Sequence, residues 1–232
     1  MRGEDKRLGK VKAKISEIFY SIQGEGIYQF LPQIFVRFWG CNLNCSFCDS
    51  KDLSFELKEL DEVIEDIFSF KSFWHSISLT GGEPLLQKDF LRELCENLKD
   101  RGQIIYLESN GTLYGNLEEV IKYVDIIAMD FKLPSSTGER AFWEEHRRFL
   151  KIAEAKEVFV KAVVTLSTER KDLIKACQIL REVNPKIPFV LQPVFSYEVA
   201  LYPKLEELKK IALDFLFQVE IIPQLHKHLT IR

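Results

Sequence analysis

The chain has 232 residues, 46% of them hydrophobic and 18 of them Phe, which is enough apolar material for one sizeable core, so a single domain over 1–232 is expected. Lys and Arg number 32 against 35 Asp and Glu, and a net charge of -3 offers no general attraction to phosphate backbones or anionic membranes; neither nucleic acid nor membrane is expected as a direct partner. The start, MRGEDKRLGK, lacks the apolar core of a secretory signal, residues 1–11 read as a flexible polar tail, and no apolar run approaches the ~18 residues of a spanning helix. A cytoplasmic protein is expected.

Lys12 to Tyr20 alternates and predicts a strand, and a glycine-rich turn, Gln23-Gly24-Glu25-Gly26, separates it from a second strand over Gln33 to Trp39. A polar loop with three cysteines follows. Leu60, Val63, Ile64, Ile67 and Phe68 keep helical spacing, and Ser76 to Leu79 reads as a short strand. The alternation then runs through helix 88–100, strand 103–108, helix 117–124, strand 125–130, helix 139–155, strand 157–164, helix 169–183, strand 187–192, helix 203–214 and strand 216–222. Such a rhythm predicts an α/β fold with a mostly parallel sheet: a partial (β/α) barrel of about six β-α units, with a doubly wound sheet as the competing architecture. In both, ligands collect in the loops beyond the carboxyl ends of the strands.

Five cysteines, an odd number without a secretory signal, make a disulfide framework a poor reading. Cys95 and Cys177 fall on apolar helical stripes and are expected to pack as small core hydrophobes. Cys41, Cys45 and Cys48 are different: a C-x3-C-x2-C loop brings three soft thiolates to one metal centre and leaves a fourth position open. Zinc would want a fourth Cys or His, and the nearest candidate, His75, is far along the chain. A second feature, Thr80-Gly81-Gly82-Glu83-Pro84, follows a strand where a ligand-facing loop belongs; its glycines let backbone approach a ligand, and Glu83 can accept from an ammonium. Arg37 lies inside the apolar strand Phe35-Val36-Arg37-Phe38-Trp39 and needs an anion, either a structural carboxylate or a substrate's. Gln23 and Glu25 present donors and acceptors suited to an aminopyrimidinone edge. His146, between Glu145 and Arg147 on a charged helix, is expected to face solvent, and His75 and His228 have no motif context.

The cysteine loop and the Gly-Gly-Glu-Pro turn together resemble the two signature motifs of the radical S-adenosylmethionine (SAM) superfamily. From about residue 15 to His226 the segments SIQGEG, FVRFWGCNLNC, SFCDS, LTGGEP, ESNGT and PQLH resemble, more narrowly, the 7-carboxy-7-deazaguanine synthase family. That resemblance implies a radical SAM fold and a magnesium-dependent ring contraction of 6-carboxy-5,6,7,8-tetrahydropterin to 7-carboxy-7-deazaguanine with loss of ammonia, in queuosine and 7-deazapurine biosynthesis. It implies a 4Fe-4S cluster on Cys41, Cys45 and Cys48, a Mg2+ ion, an electron donor such as flavodoxin or ferredoxin, and a homodimer. Reductive cleavage of SAM at the cluster would yield the 5'-deoxyadenosyl radical that takes hydrogen from C6 of the pterin.

By the same resemblance, Phe47, Cys48 and Asp49 would approach SAM, and Gly82 and Glu83 would hold its methionyl end. Asp130-Phe131-Lys132 matches a SAM-binding segment often written Ser-x-Lys, with Asp in place of Ser, so Lys132 carries more of the expectation than Asp130. Ser109 with Glu108 and Asn110, and Gln192 with Pro193, end two further strands and would reach SAM or substrate. Ile22, Gln23, Gly24, Glu25, Arg37, Thr80, Glu108 and His226 would meet the pterin, and Ser50 stands at the magnesium position, a plain turn residue being equally consistent with its sequence context. Two rivals stand beside this reading: an activase that generates glycyl radicals on a partner protein, and a non-catalytic electron carrier or zinc-stabilised binding module.

Overall fold

β1 (Lys12–Ile22) pairs antiparallel with β2 (Pro32–Phe38) on one side and β3 (Glu56–Glu59) on the other. From β2 onward every neighbouring pair is parallel, through β4 (Ser76–Gly81), β5 (Ile105–Ser109), β6 (Ile126–Asp130), β7 (Glu157–Val164), β8 (Phe189–Pro193) and β9 (Val219–Ile221). This computed structural model describes residues 11–230, so the polar tail expected over 1–11 lies outside the described residues except for Val11. The strand order is β3-β1-β2-β4-β5-β6-β7-β8-β9, and the terminal strands do not pair with each other. The expected partial barrel is what forms.

Helices fill the crossovers: α1 (Leu60–Ser69), α2 (Lys88–Asp100), α3 (Tyr114–Val120), the short α4 (Pro134–Thr137) with α5 (Trp143–Ala153), α6 (Arg170–Val183) and α7 (Glu198–Leu213). A last short helix, α8 (Leu225–Leu229), follows β9. Six crossovers join seven parallel strands, as the alternation predicts.

Because side chains alternate across a strand, each strand serves two cores. Outward residues such as Ile77, Leu79, Leu107, Ile127, Val160 and Leu191 pack under the helices, where Cys95 and Cys177 are fully buried as the sequence predicts. Inward residues Tyr106, Ile126, Ala128, Phe159 and Val190 form a smaller apolar floor, closed by Tyr28, whose ring meets Tyr106 edge-on at 5.6 Å. One or two steps further along the same inward rows stand Thr80, Glu108, Asp130, Lys161 and Gln192. The barrel interior is thus apolar at its base and polar at the carboxyl ends of its strands.

Three differences from the sequence reading have local causes. β3 carries one apolar residue, Leu57, which is 59% exposed; backbone pairing to β1 makes it a strand, and no hydrophobic pattern announces it. α7 begins at Glu198, ahead of the first-turn position that Pro203 favours, and carries that proline inside it. His146 does not face solvent: it is 0% exposed, on the inward stripe with Phe149, Leu150 and Ala153, and its ring packs 4.2 Å from that of Phe131. Its charged sequence neighbours point elsewhere around the helix, so flanking charge is a poor guide where the period is 3.6.

Candidate active site

Two adjoining cavities, of about 300 and about 200 Å³, open at the carboxyl ends of the parallel strands, and Glu25, Arg37, Asp49, Ser50, Thr80 and Glu108 line both. In the larger cavity the Glu108 carboxylate is the best-held group. Ser78 Oγ and Gln23 Nε2 donate to its Oε1, each at 3.1 Å, and Thr80 Oγ1 donates to its Oε2 at 3.2 Å. Gln23 is itself 3% exposed, donating to Gln33 Oε1 at 3.0 Å and accepting from the Glu25 backbone N–H at 3.0 Å. Its amide is therefore committed to fixing Glu108 and the turn, so the side chain offered to a ligand is the carboxylate of Glu108 rather than the amide of Gln23.

Arg37 lines the same cavity from β2, two strands along from Glu108. Its parallel register partner is Thr80; its guanidinium lies over the Phe19 ring at 5.6 Å, and Nε stands 3.8 Å from Glu17 Oε2 without a hydrogen-bond partner among the described residues. The contact with Glu17 is too long for a bonded fork, so the guanidinium retains donors for an anion in the cavity.

The chain returns over this cavity after β9. Leu225 N donates to Gly24 O at 2.8 Å, Gln29 Nε2 to Pro223 O at 2.7 Å, Gln224 Nε2 to Glu25 Oε1 at 2.7 Å, and Lys227 Nζ pairs with Asp49 Oδ2 at 2.6 Å. His226 lines the cavity, and a Cβ on Gly24 would run into its ring and backbone nitrogen, which is why a residue without a side chain stands there.

The smaller cavity is lined by all three cysteines of the loop, with Phe47, Gly81, Gly82, Ser109, Asn110, Asp130, Lys132 and Gln192. Gly82 lies so close to the Gly40 carbonyl that a Cβ would overlap it, and Glu83 N donates to Gly40 O at 2.9 Å, so the two motifs are packed backbone to backbone. Glu83 itself is fully buried: its carboxylate accepts from Asn110 N at 2.7 Å, Ser109 Oγ at 3.0 Å and Leu85 N at 3.1 Å. Burial pushes its pKa up to about 7 against those bonds and the Lys132 charge. Asn110 extends the brace to Asn42 Oδ1 at 2.9 Å and lies 3.8 Å from Cys41 Sγ, while His146 Nε2 sits 3.1 Å from Asn110 O.

An alternating row of charges starts at a seam where Glu25 lines both cavities and runs along the wall of the smaller one. Lys161, 7% exposed, pairs with Glu25 Oε2 and stands 3.8 Å from Asp130 Oδ2; Asp130 Oδ2 in turn meets Lys132 Nζ at 2.8 Å. Burial would raise the Glu25 carboxyl, but the Lys161 ammonium and hydrogen bonds from Lys161 and Gln224 hold it at about 2. Burial likewise opposes the charge on Lys161 and Lys132, and the neighbouring carboxylates outweigh it, so both are held above the usual lysine range.

Residues 37–184 match the Radical SAM superfamily. A 7-carboxy-7-deazaguanine synthase from Geobacter sulfurreducens is 37% identical over 246 aligned positions, 95% of this chain and 98% of that protein; one from Methanothermobacter thermautotrophicus is 35% identical over 96% of this chain and 99% of its own length. The chain belongs to the 7-carboxy-7-deazaguanine synthase family. QueE from Escherichia coli shares the fold, with a TM-score of 0.63 over 93% of this chain and 95% of that one at 18% identity.

Membership in this radical SAM family implies a 4Fe-4S cluster and SAM, and the residues present fit both. Three free thiols share one cavity wall, and among the described residues no three His, Cys, Asp or Glu side chains converge on a point as a single ion requires. Burial pushes the Cys45 thiol up to about 11, so a bound metal is what would make it a thiolate. For SAM, the buried Oδ1 of Asp130 and Oε1 of Gln192 lack donors among the described residues, and both residues line the cavity.

Most of the residues expected from sequence do line these two cavities, including Ile22, Gly24, Glu25, Arg37, Phe47, Asp49, Ser50, Thr80, Glu108, Ser109, Lys132 and His226. Glu83, Phe131 and Pro193 do not: Glu83 braces the loops as described, Phe131 packs between Trp143 and His146, and Pro193 is buried at the end of β8. Sequence reading missed Lys161, although its signal, one cation in the apolar run Glu157–Val164, is the one that marked Arg37. No helix among the described residues is long and apolar enough to cross a membrane.

Proposed function

We propose that this protein catalyses the ring contraction of 6-carboxy-5,6,7,8-tetrahydropterin to 7-carboxy-7-deazaguanine with release of ammonia, the pterin in the larger cavity and SAM in the smaller. The observation that carries this is the presence, in the lining of one cavity, of a guanidinium with free donors on Arg37 and a carboxylate fixed by three donors on Glu108, beside a second cavity walled by three cysteines. Arg37 would take the substrate carboxylate, and Glu108 would accept from N–H groups on the pterin ring.

Cys41, Cys45 and Cys48 would hold the cluster. Asp130, Lys132 and Gln192 would meet the polar parts of SAM, and the Gly81-Gly82 backbone would approach its methionyl end, with Glu83 setting that backbone from behind. When bound, the cluster and SAM together supply the one-electron chemistry that removes a hydrogen atom from C6 of the pterin. The protein's contribution is placement and exclusion of water, with α8 and the Pro223–His226 segment laid over the pterin cavity.

Magnesium fits the oxygen-rich corner at Asp49 and Ser50, which line both cavities; Ser50 would offer its hydroxyl and the substrate its carboxylate. The electron would come from a small redox carrier of the flavodoxin or ferredoxin kind, and the working protein would be a cytoplasmic homodimer. The test is anaerobic reconstitution with iron and sulfide, then incubation with reductant, SAM, Mg2+ and the carboxytetrahydropterin, with mass analysis of the products. A product lighter than the substrate by ammonia and carrying the deazaguanine mass supports the reading, whereas SAM cleavage with the pterin unchanged refutes it in favour of an activase.

A further inference from the structure

Lys161 lies on the inward row of β7, one step above Phe159 in the apolar floor, in a strand whose other residues from Val158 to Val164 are apolar and buried. A lysine in such a place needs anions around it, and it has them: Glu25 in direct contact, Asp130 Oδ2 at 3.8 Å, and Glu108 close enough to be felt. Three carboxylates at one partly dry seam would repel each other, and a repelled, buried carboxylate takes up a proton. The ammonium beside them favours the anionic form of Glu25, which it contacts directly.

The geometry bears on Glu25 in particular. Lys161 holds one of its oxygens and Gln224 Nε2 the other, at 2.7 Å, and each carboxylate oxygen still has a lone pair to offer. Glu25 also lines both cavities. The charged and titratable groups acting on it are Lys161 from β7, His226 from α8 and Tyr106 from β5, while Glu108 from β5 and Asp130 from β6 share Lys161 with it. Lys161 is the dominant cation among them.

We propose that Lys161 is a positioning residue for the substrate: it fixes Glu25 as an anion at the seam, so that this carboxylate joins Glu108 in accepting N–H hydrogen bonds from the aminopyrimidinone edge of the pterin. The inference rests on the function proposed above. It assigns to Lys161 a part in substrate recognition that acts through Glu25 and differs from a purely structural buried ion pair.

A structural pair and a positioning pair differ in their pH behaviour. With Lys161 in place the Glu25 carboxyl is held at about 2 and stays ionised throughout the working range, so KM for the pterin has no dependence on Glu25. Replacing Lys161 by Met removes the cation and leaves the burial, which raises the Glu25 pKa. KM is then expected to rise about tenfold or more, the loss of a charged hydrogen bond, and to fall again as pH is increased and Glu25 ionises.

The experiment measures KM and kcat for carboxytetrahydropterin between pH 6 and 9 (~3 units) in the reconstituted wild type, K161M, K161R, E25Q and K161M/E25Q. K161R, which keeps the charge, is expected within about threefold of wild type, E25Q to raise KM about tenfold, and the double variant to lose the pH dependence seen in K161M. Either a K161M enzyme with the wild-type KM and pH profile, or a double variant that keeps the K161M pH dependence, overturns the proposal. If K161M does not fold, E25Q decides: a wild-type KM there overturns it equally. A wild type that leaves the pterin unconsumed signals failure of the functional reading itself, in the control, and the proposal falls with it.

Discussion

Arg37 gives the sharpest single-residue test of the substrate assignment. Its Nε lacks a hydrogen-bond partner among the described residues and its nearest carboxylate, Glu17, is 3.8 Å away, so removing the guanidinium leaves no tightly paired internal anion behind. Arg37→Ala is expected to raise KM for the pterin roughly 10- to 100-fold, the range for a lost charge-assisted bond, while uncoupled SAM cleavage continues; steady-state kinetics with separate assay of 5'-deoxyadenosine reads both. Cys45→Ala is expected to abolish both activities and the iron content, measured by metal analysis and visible absorbance. His146 makes a stability prediction instead. Burial lowers its pKa from 6.5 to about 4 against the Asn110 carbonyl bond, so the unfolded chain binds more protons between those values. Its contribution to stability is complete above pH 6.5 and is lost as pH falls towards 4, about 3 kcal/mol at 1.36 kcal/mol per pKa unit. Denaturant unfolding of wild type and His146→Phe should therefore diverge in slope over that window; parallel curves would remove His146 from the account.

At the scale of elements, the site is made where one strand end meets the turn packed against it. Gly24 joins two of them, since its carbonyl accepts from Leu225 N and its missing side chain makes room for His226. Gly24→Ala is expected to push α8 off the pterin cavity and raise KM about tenfold with little effect on iron content, which pterin binding by calorimetry would register. The elements themselves were largely legible in sequence because hydrophobic period separates strand from helix: β4 to β8 and α2, α5 and α6 fall close to where alternation and 3.6-residue stripes put them. β3 escaped because an edge strand with exposed side chains is fixed by its neighbour's backbone and has no pattern of its own. Gln23 lines the larger cavity and Glu83 lies behind the cavity wall, and neither side chain is free in the way its motif suggests. Sequence marks a polar residue in a motif, but only packing reveals that its donors or acceptors are already committed to Glu108 or to the Asn110 loop.

Across the whole molecule, the inward rows of the strands make a graded interior, with an apolar floor around Tyr106 and Phe159, a charged seam at Glu25, Lys161, Asp130 and Lys132, and two cavities above it. Motif resemblance located the cysteine side of this arrangement because its residues are contiguous in the chain. The seam was not legible as a unit, since Glu25, Asp130 and Lys161 come from three distant segments that only β6–β7 pairing and the turn after β1 bring together. In the function proposed, SAM and the pterin occupy the adjoining cavities at once, with C6 of the pterin turned to the seam. Pterin deuterated at C6 tests it most directly. Deuterium is expected in the 5'-deoxyadenosine recovered after anaerobic turnover, together with the ring-contracted product. Deuterium-free 5'-deoxyadenosine formed alongside that product would contradict it.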